Sequence, residues 1–221
     1  MFNPLRVEEN GFAIVSQCLT EQTVELLRLE LGNTKYAQRN LLRVAIVREV
    51  ASSEPIKQLI GAVLGRECFA VRGILFNKTP NSNWKVVWHQ DRIIAVRERK
   101  EAAHFGPWSI KAGVPHVQPP PSVMAKMLAI RLHLDESHEG NGPLRVIPGS
   151  HNAGFLSAEG ISTWRERLSV VCAVPRGGAI LMRPLLVHAS SSSSKPEARR
   201  VIHLEFAADD LPDGLEWHDR V

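Results

Sequence analysis

The chain has 221 residues, of which 44% are hydrophobic, enough to bury one sizeable core, and it reads as a single domain over 1–221. Its formal charge of +4 comes from acidic and basic residues interspersed along the chain, without a basic tail, a recognisable nucleic-acid module or an aromatic and basic stripe, so nucleic acid is not an expected partner. Cys18, Cys68 and Cys172 are odd in number and widely spaced, which excludes a disulfide framework and a thiolate metal site; with no apolar leader and no run of 18 apolar residues, the chain is expected to be soluble and cytoplasmic.

Near the start, GFAIV is a short strand-like run. Thr20 then offers an N-cap to a helical pattern through Val24, Leu27 and Leu31 that stops at Gly32. A second helix is predicted from about Glu54 to Leu64, with Pro55 in its first turn and Gly65 just past its end. Beyond this the character changes. FAVRGILF, WKVVWH, MLAIRLHL, LRVIPG, LSVVCAV, GAILMR and RVIHLEF are short β-prone runs, separated by TPNSN, EGNG, PRGG and the Ser/Lys/Pro loop after His188. Helices followed by many short strands imply an α+β protein whose main body is a β-sandwich or barrel. The stretch from Arg97 to Ser122 fits neither helix nor strand; a connection this long is expected to be an active-site lid, with an ordinary surface loop as the alternative.

The chemistry is carried by His and Asp. A His-x-Asp pair at a strand end places both side chains on one face, supplying two of the three ligands of a two-histidine, one-carboxylate metal site. His89-Gln90-Asp91 fits this pattern, but so does His133-Leu134-Asp135, and His203-Leu204-Glu205 is a carboxylate variant. His188, ending GAILMRPLLVH, is a candidate third ligand. Downstream, strand parity puts Arg199, Val201, His203 and Glu205 on one face and Arg200, Ile202, Leu204 and Phe206 on the other. The second face is the greasier and is expected to meet the helices, leaving Arg199 in the barrel interior, where a guanidinium can grip a carboxylate with two parallel hydrogen bonds. The row Arg131, His133 and Asp135 lines the pocket if its strand is an inner one and is a wet face if it is an outer one.

Read in order, the segments ENGFAIVSQCLTEQTVELL, FNKTPNSNWKVVWHQD, NGPLRVIPGSH and LLVHASSSSSKPEARRVIHLEF resemble the phytanoyl-CoA dioxygenase family of Fe(II)/2-oxoglutarate oxygenases. The resemblance implies a double-stranded β-helix (a jelly-roll, cupin-like core) with N-terminal helices packed on one sheet. It implies His89, Asp91 and His188 as ligands of Fe(II), Arg199 and Ser190 as the residues fixing the far carboxylate of 2-oxoglutarate, with Arg131 as a further candidate there, and O₂ as the oxidant. Lys78, Trp88, Gln90 and Trp108 are weaker substrate candidates, and within the segment 92–122 Trp108 and His104 are candidates for the lid; His104, His116, His138, His151 and His218 otherwise read as surface or loop residues. The expected activity is hydroxylation of a small, possibly anionic, organic molecule. Asp91 argues against halogenating relatives, which carry a small residue there. Competing readings are a jelly-roll metalloenzyme that does not use 2-oxoglutarate, and a non-catalytic β-sandwich binding module.

Overall fold

A computed structural model of the chain describes residues 2–32, 36–79, 81, 83–194 and 198–221; parts of the TPNSN turn and of the Ser/Lys/Pro loop after His188 lie outside the described residues. The helices are α1 (Leu5–Asn10), α2 (Glu21–Leu31), α3 (Ala45–Ala51), α4 (Glu54–Leu64), α5 (Pro121–Ala125) and α6 (Ala158–Trp164). The strands are β1 (Phe12–Val15), β2 (Tyr36–Gln38), β3 (Phe69–Lys78), β4 (Val86–His89), β5 (Ile94–Ala95), β6 (Trp108–Lys111), β7 (Val114–Val117), β8 (Met127–His133), β9 (Leu144–Val146), β10 (Val170–Cys172), β11 (Ala179–Met182), β12 (His188–Ser190) and β13 (Arg199–Ala207). All the pairings are antiparallel. They form a six-stranded sheet in the order β1-β11-β8-β13-β3-β2, a four-stranded sheet in the order β10-β9-β12-β4, and a small sheet β5-β7-β6.

The two predicted helices form with the expected ends. The Thr20 hydroxyl accepts a hydrogen bond from the Thr23 backbone N–H and α2 stops at Gly32, while α4 begins with Pro55 in its first turn and ends at Gly65. They pack with α3 on the outer face of the six-stranded sheet, where Val24, Leu27, Ile56 and Ile60 meet Leu128, Ile130, Leu132, Ile202, Leu204 and Phe206 in one apolar cluster. Strand parity is thus obeyed in β8 and β13: the greasy face turns to the helices. The opposite faces of the two larger sheets enclose a second cluster that includes Ala129, Val146, Cys172, Ile180 and Met182. This is a jelly-roll core with helices on one sheet.

The segment 92–122 differs from the expected irregular lid. It folds into β5, β6, β7 and the start of α5, because Ile94, Val96, Val117 and Trp108 have Phe69, Val71, Leu215 and Trp217 to pack against. The alternation of its short strands is broken by Gly106, Pro107, Gly113 and Pro115, which hid them in the sequence.

Candidate metal centre

The four-stranded sheet builds the centre from a cross-strand pair. His89, last residue of β4, stands directly opposite His188, first residue of β12, so the two imidazoles project on the same side with ring centroids 4.2 Å apart. Asp91 follows two residues later, held by its backbone N–H donating to the Pro184 carbonyl at 2.9 Å. Its carboxylate oxygens lie 3.8 Å from His89 Nε2 and 3.7 Å from His188 Nε2. Both rings are oriented in the same way: His89 Nδ1 donates to the Val87 carbonyl and His188 Nδ1 to the Leu186 carbonyl, each at 2.8 Å. A carbonyl can only accept, so each Nδ1 carries the proton and each Nε2 keeps its lone pair for the shared space in front of Asp91.

At His188 the electrostatics favour this protonation state. Burial pushes His188 down to about 4, outweighing the opposing pull of Asp91, so its ring is neutral at ordinary pH. Burial works to raise Asp91, but His188, His203, His89 and Arg72 outweigh it and hold the carboxyl well below the usual carboxylate range. Among the described residues, these three side chains are the one His/Cys/Asp/Glu group whose ligand atoms converge, all within 4.8 Å of one another. Two neutral imidazoles and one carboxylate form the donor set that suits Fe(II) while leaving positions open, so the residues present fit the expected ion. The rival motifs bring no such group of three together among the described residues. Asp135 accepts from the Arg200 backbone N–H, Nε and Nη2 at 2.8–2.9 Å and also pairs with Arg28, and His203 is hydrogen-bonded to Glu205 at 3.1 Å.

In front of the cluster lies a cavity of about 120 Å³ between the two larger sheets. Its far wall is cationic. Arg199 on β13 stands opposite Lys78 on β3, and both line the cavity with Arg131 from β8, so the row containing Arg131 is an inner one. Arg199 is 4% exposed, and its Nε is buried with no hydrogen-bond acceptor among the described residues. Burial, with Arg131 adding repulsion, lowers its pKa to about 10. Ser190 also lines the cavity, but its hydroxyl meets Lys78 Nζ at 3.1 Å, and that ammonium also donates to the Ser191 carbonyl at 2.6 Å. Lys78, expected on the substrate side, therefore stands at the Arg199 end. Burial, with Arg199 and Arg131 beside it, pushes it down to about 8.

Three expected substrate residues are elsewhere. Gln90 is a structural clamp: its side-chain N–H₂ donates to the Gly154 and Leu185 carbonyls at 2.8 and 2.7 Å, and its oxygen accepts from the Leu156 N–H at 2.9 Å. Trp88 lies in a separate surface groove with Arg145 over its ring. Trp108 belongs to the small sheet, stacked under Arg99, and neither it nor the exposed His104 lines the cavity. Conversely, Arg72, Phe76, Trp84 and His203 line the cavity without having been singled out as pocket residues. For Arg72 and Phe76 the signal is present in FAVRGILFNK, where Arg72, Ile74, Phe76 and Lys78 alternate onto one face, and for His203 it is present in RVIHLEF, where its parity matches that of Arg199. His116, read as a surface or loop residue, is buried, with Nδ1 bonded to the Val114 carbonyl.

The fold and this cluster define a jelly-roll protein with a two-histidine, one-carboxylate centre facing a basic cavity. Residues 7–201 match the phytanoyl-CoA dioxygenase (PhyH) family, and the chain belongs to that family of Fe(II)/2-oxoglutarate oxygenases. Solved structures share the fold. AviO1 from Streptomyces viridochromogenes Tue57 is 20% identical, with a TM-score of 0.68 over 95% of this chain and 94% of its own. EctD from S. alaskensis, solved with 2-oxoglutarate and 5-hydroxyectoine, is 19% identical, with a TM-score of 0.71 over 93% of this chain and 74% of its own. SnoK, a non-heme α-ketoglutarate-dependent carbocyclase from nogalamycin biosynthesis, is 13% identical, with a TM-score of 0.72 over 99% of this chain and 91% of its own. No curated protein sequence matches the chain. No helix among the described residues is long and apolar enough to cross a membrane.

Proposed function

We propose that the chain is an Fe(II)- and 2-oxoglutarate-dependent dioxygenase that hydroxylates a small organic substrate, with His89, Asp91 and His188 as the iron ligands. The observation that carries this reading is one cavity with a neutral-imidazole and carboxylate cluster on one sheet and a buried guanidinium with an unpaired N–H on the other. That pairing matches a dianion that chelates a metal at one end and ends in a carboxylate at the other. Bound Fe(II) would supply the activation of O₂ coupled to oxidative decarboxylation, one oxygen atom entering succinate and the other the substrate, with release of CO₂.

The chain's own residues have three tasks here. Nδ1–H bonds to backbone carbonyls hold both imidazoles ready, so little reorganisation accompanies metal binding. Arg199, with Lys78 and Ser190 beside it and Arg131 along the wall, takes the distal carboxylate of 2-oxoglutarate and fixes its keto-acid end toward the cluster. Phe76, Ile74 and Leu144 cover the remaining wall with apolar surface and limit water around the reacting centre. Proteins that share the fold include one with an outcome other than hydroxylation, SnoK being a carbocyclase, so product analysis belongs in the test.

That test is a screen of organic acids, amino acids, phosphate esters and acyl thioesters for stimulated succinate formation with Fe(II), 2-oxoglutarate and O₂. For a stimulating compound, a product heavier by one oxygen atom is expected, and Asp91→Ala should reduce coupled turnover by at least about a hundredfold. Near-normal turnover by that variant would remove Asp91 from the metal; an isomeric or dehydrogenated product would replace hydroxylation with another outcome.

A further inference from the structure

The basic wall that suits 2-oxoglutarate occupies only one end of the cavity. At the other end β3 presents Arg72, on the same face as Ile74, Phe76 and Lys78. The pairing of β2 with β3 puts Gln38 opposite Leu75, whose side chain lies in the helix-facing core. β2 ends at Gln38, but the chain stays beside β3, with Leu41 packed on Gly73, so Arg39 between them also runs alongside β3, within electrostatic reach of Arg72 and Glu205. Lys111, at the end of β6, approaches from the small sheet closely enough for its charge to be felt with those of Arg39, Arg72 and Asp91. Burial first, then repulsion from Arg72, lowers Arg39; burial first, then Arg39 and Arg72, lowers Lys111.

This convergence has no counter-charge to spare. The carboxylates whose charges reach the group are Glu205, already bonded to Arg72 and His203, and Asp91, which belongs to the metal cluster. The Nε–H of Arg72 is buried without an acceptor, and neither Arg39 nor Lys111 has a hydrogen-bond or ion-pair partner among the described residues. Cations with nothing to bind gain by spreading into solvent, because like charges at short range repel. The charges of 2-oxoglutarate are meanwhile taken up by the metal and the Arg199 end. The cavity, at about 120 Å³, is also small beside the ~300 Å³ and more of ordinary ligand pockets, so a second reactant must reach its mouth.

We propose that Arg39, Arg72 and Lys111 form the anchor for an anionic group, a carboxylate or a phosphate, on the primary substrate. The enzyme then oxidises a small organic anion whose charged end is held at this rim while its reacting carbon enters the cavity. This deepens the proposed function and rests on it, since 2-oxoglutarate is assigned to the opposite end.

The full chain is loaded with Mn(II) and saturating 2-oxoglutarate without O₂, then titrated calorimetrically with inorganic phosphate and, separately, with acetate at low ionic strength, where such contacts are least screened. At least one anion should bind, and the Arg39→Gln/Lys111→Gln double variant should weaken it about tenfold or more while leaving 2-oxoglutarate affinity within about twofold. Arg199→Gln should show the reverse pattern. Both rim residues are partly exposed and unpaired, so the double variant is expected to melt like the parent. Absence of anion binding, displacement of the anion by 2-oxoglutarate, or equal binding by the double variant would overturn the proposal. Failure of the metal-loaded parent to bind 2-oxoglutarate would instead sink the proposed function, and the two anion titrations repeated without 2-oxoglutarate would still decide on the rim.

Discussion

Lys78 is buried at 2% exposure with two guanidinium groups beside it, and the ammonium is satisfied by one hydroxyl, one carbonyl and the Trp84 ring rather than by a carboxylate. Burial and those neighbours bring its pKa to about 8, whereas an unfolded lysine titrates near ~10.4. Below pH 8 both states hold the proton and the cost of burying the charge is fully present. As pH rises from about 8 toward ~10.4 the folded protein sheds a proton that the unfolded chain keeps, so this group makes the ligand-free protein more stable, by on the order of 3 kcal/mol across the window. Urea unfolding of the parent and Lys78→Met between pH 7 and 10 should therefore diverge, the parent gaining on the variant. Affinity for 2-oxoglutarate should move the other way, falling above pH 8 in the parent and staying flat in the variant. Parallel profiles would mean that Lys78 keeps an ordinary pKa and plays no part at that end of the cavity.

At the scale of elements, the centre depends on a segment that has just left its strand. β4 ends at His89, so Asp91 is positioned by what grips residue 90 and by the Asp91 N–H bond to Pro184. Gln90 is that grip, joining β4 to the backbone at Gly154, Leu156 and Leu185. Gln90→Leu leaves two carbonyls and one N–H without their partner, a cost of about 1–3 kcal/mol for each group that stays dry. It should lower metal affinity by about 10–100-fold without touching a ligand, the usual effect of removing an outer support. A Co(II) titration checks this, and a variant that loses stability while binding metal as the parent does would reduce Gln90 to a fold residue.

The sequence carried much of this and hid the rest for identifiable reasons. α2 and α4 were legible because Thr20, Gly32, Pro55 and Gly65 are local punctuation, whereas α3, AIVREVA, lacks a polar cap and forms because Val47, Val50 and Ala51 find a core. Parity separated Arg199 from Arg200 correctly. The same parity applied at His89 and Asp91 turns Trp88 and Gln90 away from the cavity, so the substrate role that the family resemblance suggests for them does not fit their place in the fold. The Arg72 and Glu205 ion pair joins residues 133 apart, so neither alone marks the cavity's second end. His116 was masked by the Gly and Pro residues that break up 92–122.

Across the whole molecule, the two larger sheets divide the work. The ligand cluster belongs to the four-stranded sheet and its edge, and Arg131, Arg199 and Lys78 belong to the six-stranded sheet that carries the helices. A metal ion by itself would tie β4 to β12 within one sheet, whereas 2-oxoglutarate spanning from the metal to Arg199 would tie one sheet to the other. Binding to the folded state alone stabilises by about 2.7 kcal/mol at a ligand concentration a hundred times Kd. For a chain of this size that is a rise of roughly 5–10 °C in Tm. Mn(II) and then 2-oxoglutarate, added without O₂, should therefore raise Tm in two separable steps. Arg199→Ala should keep the first step and lose most of the second, and Asp91→Ala should lose both, because the chelating end of 2-oxoglutarate then has no ion to meet. An Arg199→Ala variant that retains the full second step would place the distal carboxylate on another cation, with Arg131 and Lys78 the side chains within the same wall to examine.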